Sequence, residues 1–203
     1  MTWDKMAEDG AIETAVKALN ANGFSTIVVE NGNAAKAKAL ELIPKGAEVF
    51  TATSATADAI GLTKEINESG SYDSVRNKMH KLDRNTQKKE MAMLAGAPTW
   101  VVGSVHALTE DGKALIASAS GSQLPAYSYG AQHVLWIVGA QKIVKNTEEG
   151  MRRIYEYTLP LESERAKKAY GVPGSFVCKL LTMNKEIVPE RITVIIVKEV
   201  LGF

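Results

Sequence analysis

At 203 residues with 45% apolar and 23% charged side chains, the chain has the size and balance of one globular domain, which excludes a disordered or fibrous protein. A formal net charge of +1 provides no long-range field to gather nucleic acid or anionic lipid, so any anionic ligand must be held by a local site. Its single cysteine, Cys178, excludes an intrachain disulfide and a cluster ligated by four thiolates of this chain.

Met1-Thr2-Trp3-Asp4-Lys5 lacks the apolar core of a signal peptide, and no apolar run approaches the ~20 residues of a membrane span, so a cytoplasmic protein with no membrane partner is expected. Ile12, Ala15, Val16 and Leu19 repeat at helical spacing and Asn22-Gly23 supplies a left-handed cap. Thr26 to Val29 is a short strand, apolar on both faces as in a covered parallel sheet. Asn31-Gly32-Asn33 then turns the chain into a helix from Ala34 to Ile43, ended by Pro44-Lys45-Gly46. The unit repeats with a strand from Ala47 to Phe50, a hydroxyl-rich loop from Thr51 to Thr56 and a helix from Ala57 to about Ile66.

Ser69 to Lys89 is polar, rich in Lys, Arg and Asn, and reads as a surface loop or exposed helical excursion. Trp100 to Val102 and His133 to Val138 are further strands, with a turn at Glu110-Asp111-Gly112 and a short strand at Leu115-Ile116 between them. Thr147 is the expected cap of a helix whose buried stripe is Met151, Ile154, Tyr155 and Leu159, interrupted by Pro160. A charged helix from Leu161 to Tyr170 ends at Gly171, and the β-branched run Ile192 to Val197 is the last strand. Strands alternating with helices predict an α/β fold, a doubly wound and mostly parallel sheet flanked by helices, in a single domain over residues 1–203.

Ligands of such sheets bind beyond the carboxyl ends of the strands. Three segments have that position. In the first, Thr51, Thr53, Ser54 and Thr56 offer hydroxyls to phosphate or carboxylate oxygens, although Ser and Thr also stand there as plain helix caps. The second, Ser120, Gly121, Ser122 and Gln123, is either a ligand loop or a turn with a cap. The third places Gln141 and Lys142 just past an apolar strand, where a desolvated lysine pairs with an anion or acts as a base or amine nucleophile. His106 is a candidate proton carrier, with Asp111 or Glu110 as its orienting carboxylate, against the alternative of a packing histidine. The three histidines are too scattered for a metal site, Cys178 reads as a buried inert thiol, and the tryptophans read as core or interface anchors.

Thr109-Glu110-Asp111-Gly112, Ser120-Gly121-Ser122-Gln123-Leu124-Pro125-Ala126 and Gly139-Ala140-Gln141-Lys142-Ile143-Val144 resemble, in order, the lactate-utilization (LUD) family. Arg152-Arg153-Ile154, Leu159-Pro160-Leu161-Glu162, Arg165-Ala166 and Glu199-Val200-Leu201-Gly202-Phe203 extend the likeness, which is strongest from Gly103 to Glu162. The resemblance implies the fold of ribose-5-phosphate isomerase, glucosamine-6-phosphate deaminase and the coenzyme A transferases. It also implies an anion cradle at Thr51 to Thr56 and a lysine, Lys142, facing the same pocket. No position matches the transferases' catalytic glutamate.

As a family likeness it further implies a role in oxidising L-lactate to pyruvate. With one cysteine the chain is similar to the cluster-free members, which act beside iron–sulfur partner proteins. The resulting expectation is a subunit without a cofactor of its own that binds a small carboxylate or phosphate-bearing metabolite. The alternatives are a ligand-sensing or assembly subunit and a sugar-phosphate isomerase or hydrolase. Self-association as a homodimer is also expected from the supply of Trp, Tyr and Met.

Overall fold

The structure, a computed structural model, describes residues 3–203. Helix α1 (Asp9–Ala21) buries Ile12, Ala15 and Leu19, and Gly23 at φ 85° reverses the chain into strand β1 (Ser25–Val29). Asn31 caps helix α2 (Gly32–Leu42) by accepting from the Ala34 amide at 2.9 Å. Strand β2 (Glu48–Thr51) leads to the short helices α3 (Ala55–Ala59) and α4 (Leu62–Glu68).

The polar stretch beyond Ser69, expected as a surface loop or an exposed helical excursion, is helical in part and anchored to the sheet. It supplies edge strand β3 (Asp73–Ser74) and helix α5 (Val75–His80), held down by buried Tyr72 and Val75. Helix α6 (Lys88–Gly96) returns the chain to strand β4 (Trp100–Gly103). Strands β5 (Ala107–Thr109) and β6 (Ala114–Ser118) form a hairpin. Strand β7 (His133–Gly139) follows, and one 3-10 turn, Ala140–Lys142, joins it to β8 (Ile143–Val144).

Helix α7 (Thr147–Arg153) is capped by Asn146, one residue before the expected Thr147, and runs through a π-helical turn, Ile154–Thr158, into α8 (Leu159–Tyr170). Pro160 therefore does not break the helix. Lacking an N–H, it is accommodated next to the wider turn. The buried stripe runs through Gly150, Arg153, Ile154 and Thr158, and Tyr155 is 46% exposed. Strands β9 (Lys179–Met183) and β10 (Ile192–Val197) complete the chain.

Six parallel strands form one sheet in the order β1-β10-β7-β4-β2-β3. Alternation along the central strands splits the core in two, as a period of two dictates. Val134, Trp136, Val138, Val194 and Ile196 pack with α1 and α6, whereas Leu135, Ile137, Ile195 and Val197 pack with α2 and α4. β1 is an edge strand with Val28 40% exposed, so its expected cover on both faces is incomplete. The expected hairpin strand at Leu115-Ile116 belongs to a second sheet, ordered β8-β5-β6-β9, whose Leu108, Ala114, Ile116 and Met183 join the first of these cores. No described helix is long and apolar enough to cross a membrane.

Candidate functional site

From β2 the chain moves outward to β3, while from β4 it moves the other way toward β7. Neighbouring β2 and β4 thus mark the switch point of the parallel sheet. Loops that diverge there leave a crevice at the strands' carboxyl ends. A cavity of about 260 Å³ opens at this place, lined from the β2 side by Thr53, Ser54 and Thr56, from β4 by Ser104 and His106, and from beyond β7 by Lys142. The Ser118 to Gln123 loop, the helical wall from Ile154 to Tyr170, Phe176 and Phe203 enclose the rest.

Lys142 is 2% exposed. Because β7 ends at Gly139 and passes directly into a 3-10 turn, the Lys142 side chain is driven back under the strand ends. Its Nζ donates to Thr56 Oγ1 at 2.9 Å, Ser104 Oγ at 3.2 Å and the Val105 carbonyl at 3.3 Å. None of these partners is charged, and no described carboxylate forms an ion pair with it. Burial, and secondarily the Arg153 charge, hold its pKa well below the ordinary lysine value.

Arg153 lies behind this group and is 0% exposed. Its Nη1 donates to the His106 carbonyl at 2.5 Å and to Thr158 Oγ1 at 3.1 Å, whereas Nε and Nη2 have no partner among the described residues. On a regular α-helix residues five apart point roughly 140° away from each other. The π-helical turn brings Arg153 and Thr158 together. Desolvation lowers the Arg153 pKa to about 10.

His106 Nδ1 accepts the Ala117 amide N–H at 3.1 Å, so the ring proton sits on Nε2. Burial, then Lys142, then Arg153 push its pKa to about 3. At neutral pH His106 is a hydrogen-bond donor on the cavity wall and not a base. Gly103 precedes this loop because a Cβ there would overlap the Tyr127 hydroxyl, which reaches the Ser104 carbonyl at 3.5 Å.

Of the residues singled out in the sequence, Thr53, Ser54, Thr56, His106, Ser120, Ser122, Gln123 and Lys142 share this cavity. Ser54 is also a cap, accepting from the Ala57 amide at 3.2 Å. Others lie elsewhere. Asp111 sits in the exposed β5 to β6 turn, bonded to Thr109 and Lys113, and its carbonyl accepts from Asn22, the cap that ends α1, so it does not orient His106. Gln141 binds the backbone of Leu201 and Gly202, which fastens the carboxyl-terminal residues. Thr51 pairs with Asn67, while Gly121, at φ 83°, turns its loop against Lys179. Cys178 is exposed, contrary to the expectation of burial.

The LUD domain model matches residues 12–197, which is most of the chain and includes every strand of both sheets. The chain belongs to the LUD family. Among solved structures it is similar to a DUF162-family protein from Deinococcus radiodurans, at 14% identity and a TM-score of 0.57 over 95% of this chain and 99% of that one. At that identity the likeness shows the shared fold. No curated protein matches the chain.

Two cationic side chains of this LUD domain were not singled out as site residues from the sequence. Arg153 lies off the stripe that periodicity assigns to Met151, Ile154 and Tyr155, and the structure buries it on the face it shares with Gly150 and Ile154. Arg76, within the polar stretch, reaches the Thr51 carbonyl at 2.5 Å and Thr53 Oγ1 at 3.5 Å, with burial as the first cause of its lowered pKa. Arg165 faces the cavity neutralised, in a two-pronged ion pair with Glu162 at 2.7 Å.

Proposed function

We propose that this LUD domain binds a small carboxylate metabolite, L-lactate and its product pyruvate being the leading pair, and takes part in lactate oxidation as a component without a cluster. The observation that supports the reading is Lys142, an amine buried at the wall of a cavity with three neutral oxygens around it and no ion pair to a described carboxylate. A bound carboxylate supplies the negative charge that the protein withholds. His106 Nε2–H and the hydroxyls of Thr53, Ser120 and Ser122 are the donors for its remaining oxygens.

The cavity volume of about 260 Å³ is below the ~300 Å³ at which pockets for drug-sized ligands begin, which favours a metabolite of few atoms. His106 titrates too low to abstract a proton at neutral pH, so binding and orientation are the tasks this wall performs. Because Cys178 alone cannot hold an iron–sulfur cluster, the electrons of lactate oxidation pass to a partner protein that carries the redox centre.

Titration calorimetry with L-lactate, pyruvate, a sugar phosphate and an acyl-coenzyme A tests the reading. Lactate or pyruvate is expected to bind, with proton uptake from the buffer as the carboxylate raises the Lys142 pKa. Lys142→Met should weaken that binding about 10- to 100-fold, the worth of one charge-assisted hydrogen bond. Silence toward both acids would refute it.

A further inference from the structure

Building on the carboxylate-site reading above, we propose that Lys142 forms a reversible imine with small 2-oxo acids, so that the cavity separates 2-oxo from 2-hydroxy acids by covalent chemistry. A lysine is activated as a nucleophile when it is desolvated or stands beside another cation. Both conditions are met. Nζ is buried among Thr56 Oγ1, Ser104 Oγ and the Val105 carbonyl, and Arg153 stands behind it with Nε and Nη2 unpartnered among the described residues and no ion pair to a described carboxylate. Two neighbouring cations without an anion favour the state in which one is neutral, and between an amine and a guanidinium it is the amine that gives up its proton.

The surroundings also supply what the reaction needs. Thr56 Oγ1 is 3.2 Å from the Leu201 carbonyl and Ser104 Oγ is 3.3 Å from that of Val105, so each hydroxyl has an acceptor for its own proton and a lone pair for an N–H of Lys142. His106, its Nδ1 occupied by the Ala117 amide, presents Nε2–H to an oxygen of the bound acid.

The Nζ lone pair attacks C2 of the 2-oxo acid while the carbonyl π electrons move to oxygen, and a proton passes from nitrogen to that oxygen to give a carbinolamine. The nitrogen lone pair then expels the hydroxyl, which takes a proton from solvent and leaves as water, and a protonated C=N bond remains beside the ligand carboxylate. No atom changes oxidation state in this condensation, and water reverses it. A 2-hydroxy acid has no carbonyl to attack and is held by charge and hydrogen bonds alone.

The full-length protein is incubated with pyruvate or with L-lactate, reduced with borohydride, and examined by intact mass and peptide mapping, alongside calorimetric binding of the same acids. The expected result is one carboxyethyl group at Lys142 with pyruvate, none with lactate, and none in Lys142→Met. Mapping in the wild type places the adduct even if the variant folds poorly. Binding of pyruvate without an adduct, or adducts confined to surface lysines such as Lys145, would overturn the imine and leave the carboxylate site standing. Absence of binding to either acid would overturn both.

Discussion

His106 makes the folded protein sensitive to acid. Its pKa is 6.5 when unfolded and about 3 in the fold, where burial, Lys142 and Arg153 disfavour a second ring proton. A proton on Nδ1 would also face the Ala117 N–H it now accepts. Between those two values the unfolded chain binds the extra proton and the native chain does not, so stability falls as pH drops from about 6.5 toward 3 and stays level below. An unfolded histidine is about a quarter protonated at pH 7 and almost fully so at pH 5, which favours unfolding by up to about 2 kcal/mol over that interval. His106→Asn places an amide oxygen near Nδ1 and removes the titration. Urea unfolding followed by tryptophan fluorescence at pH 7 and pH 5 should show wild type losing up to about 2 kcal/mol more than the variant. Equal losses in the two proteins would refute the assignment of a neutral, enclosed imidazole.

Two further outcomes follow from packing. Gly103→Ala forces a methyl group into the Tyr127 hydroxyl at the end of β4, and a loss of about 1 to 3 kcal/mol is expected in thermal or urea unfolding. Glu186→Ala removes the carboxylate that meets Arg191 Nη1 at 2.6 Å in a pair whose side chains are 6% and 8% exposed. The guanidinium is then left buried with only backbone carbonyls from Ala126, Tyr127 and Ala131, and a cost of about 3 to 5 kcal/mol is expected by the same measurement.

Five of the six strands of the parallel sheet were legible because they are short apolar runs separated by cap and turn residues, whereas β3 has two residues, Asp73 and Ser74, within a polar stretch. The second sheet was not. β5 and β8 have three and two residues, too few to show a period, and β9 has four of its five residues outside the buried class, so only pairing with β6 identifies it. Within the site, Lys142 and Thr56 could be singled out because each lies a few residues beyond the carboxyl end of a strand. Asp111 was misplaced for an equally physical reason. Closeness in sequence to His106 suggested a pair, yet the β5 strand between them carries the carboxylate to the far end of the hairpin. Gln141 beside Lys142 illustrates the same limit, since adjacent residues in a tight turn point to different neighbours.

The wide turn at Ile154–Thr158 has an architectural consequence. Each residue of a regular helix advances the side-chain direction by roughly 100°. Wound regularly at its present length, this stretch would rotate everything downstream, swinging Glu162 and Arg165 off the wall they now form and parting Thr158 from Arg153, whereas removal of one residue would make up the difference. The winding of this segment thus acts as a gauge for the enclosure, set by how many residues fill the turn and not by any one side chain.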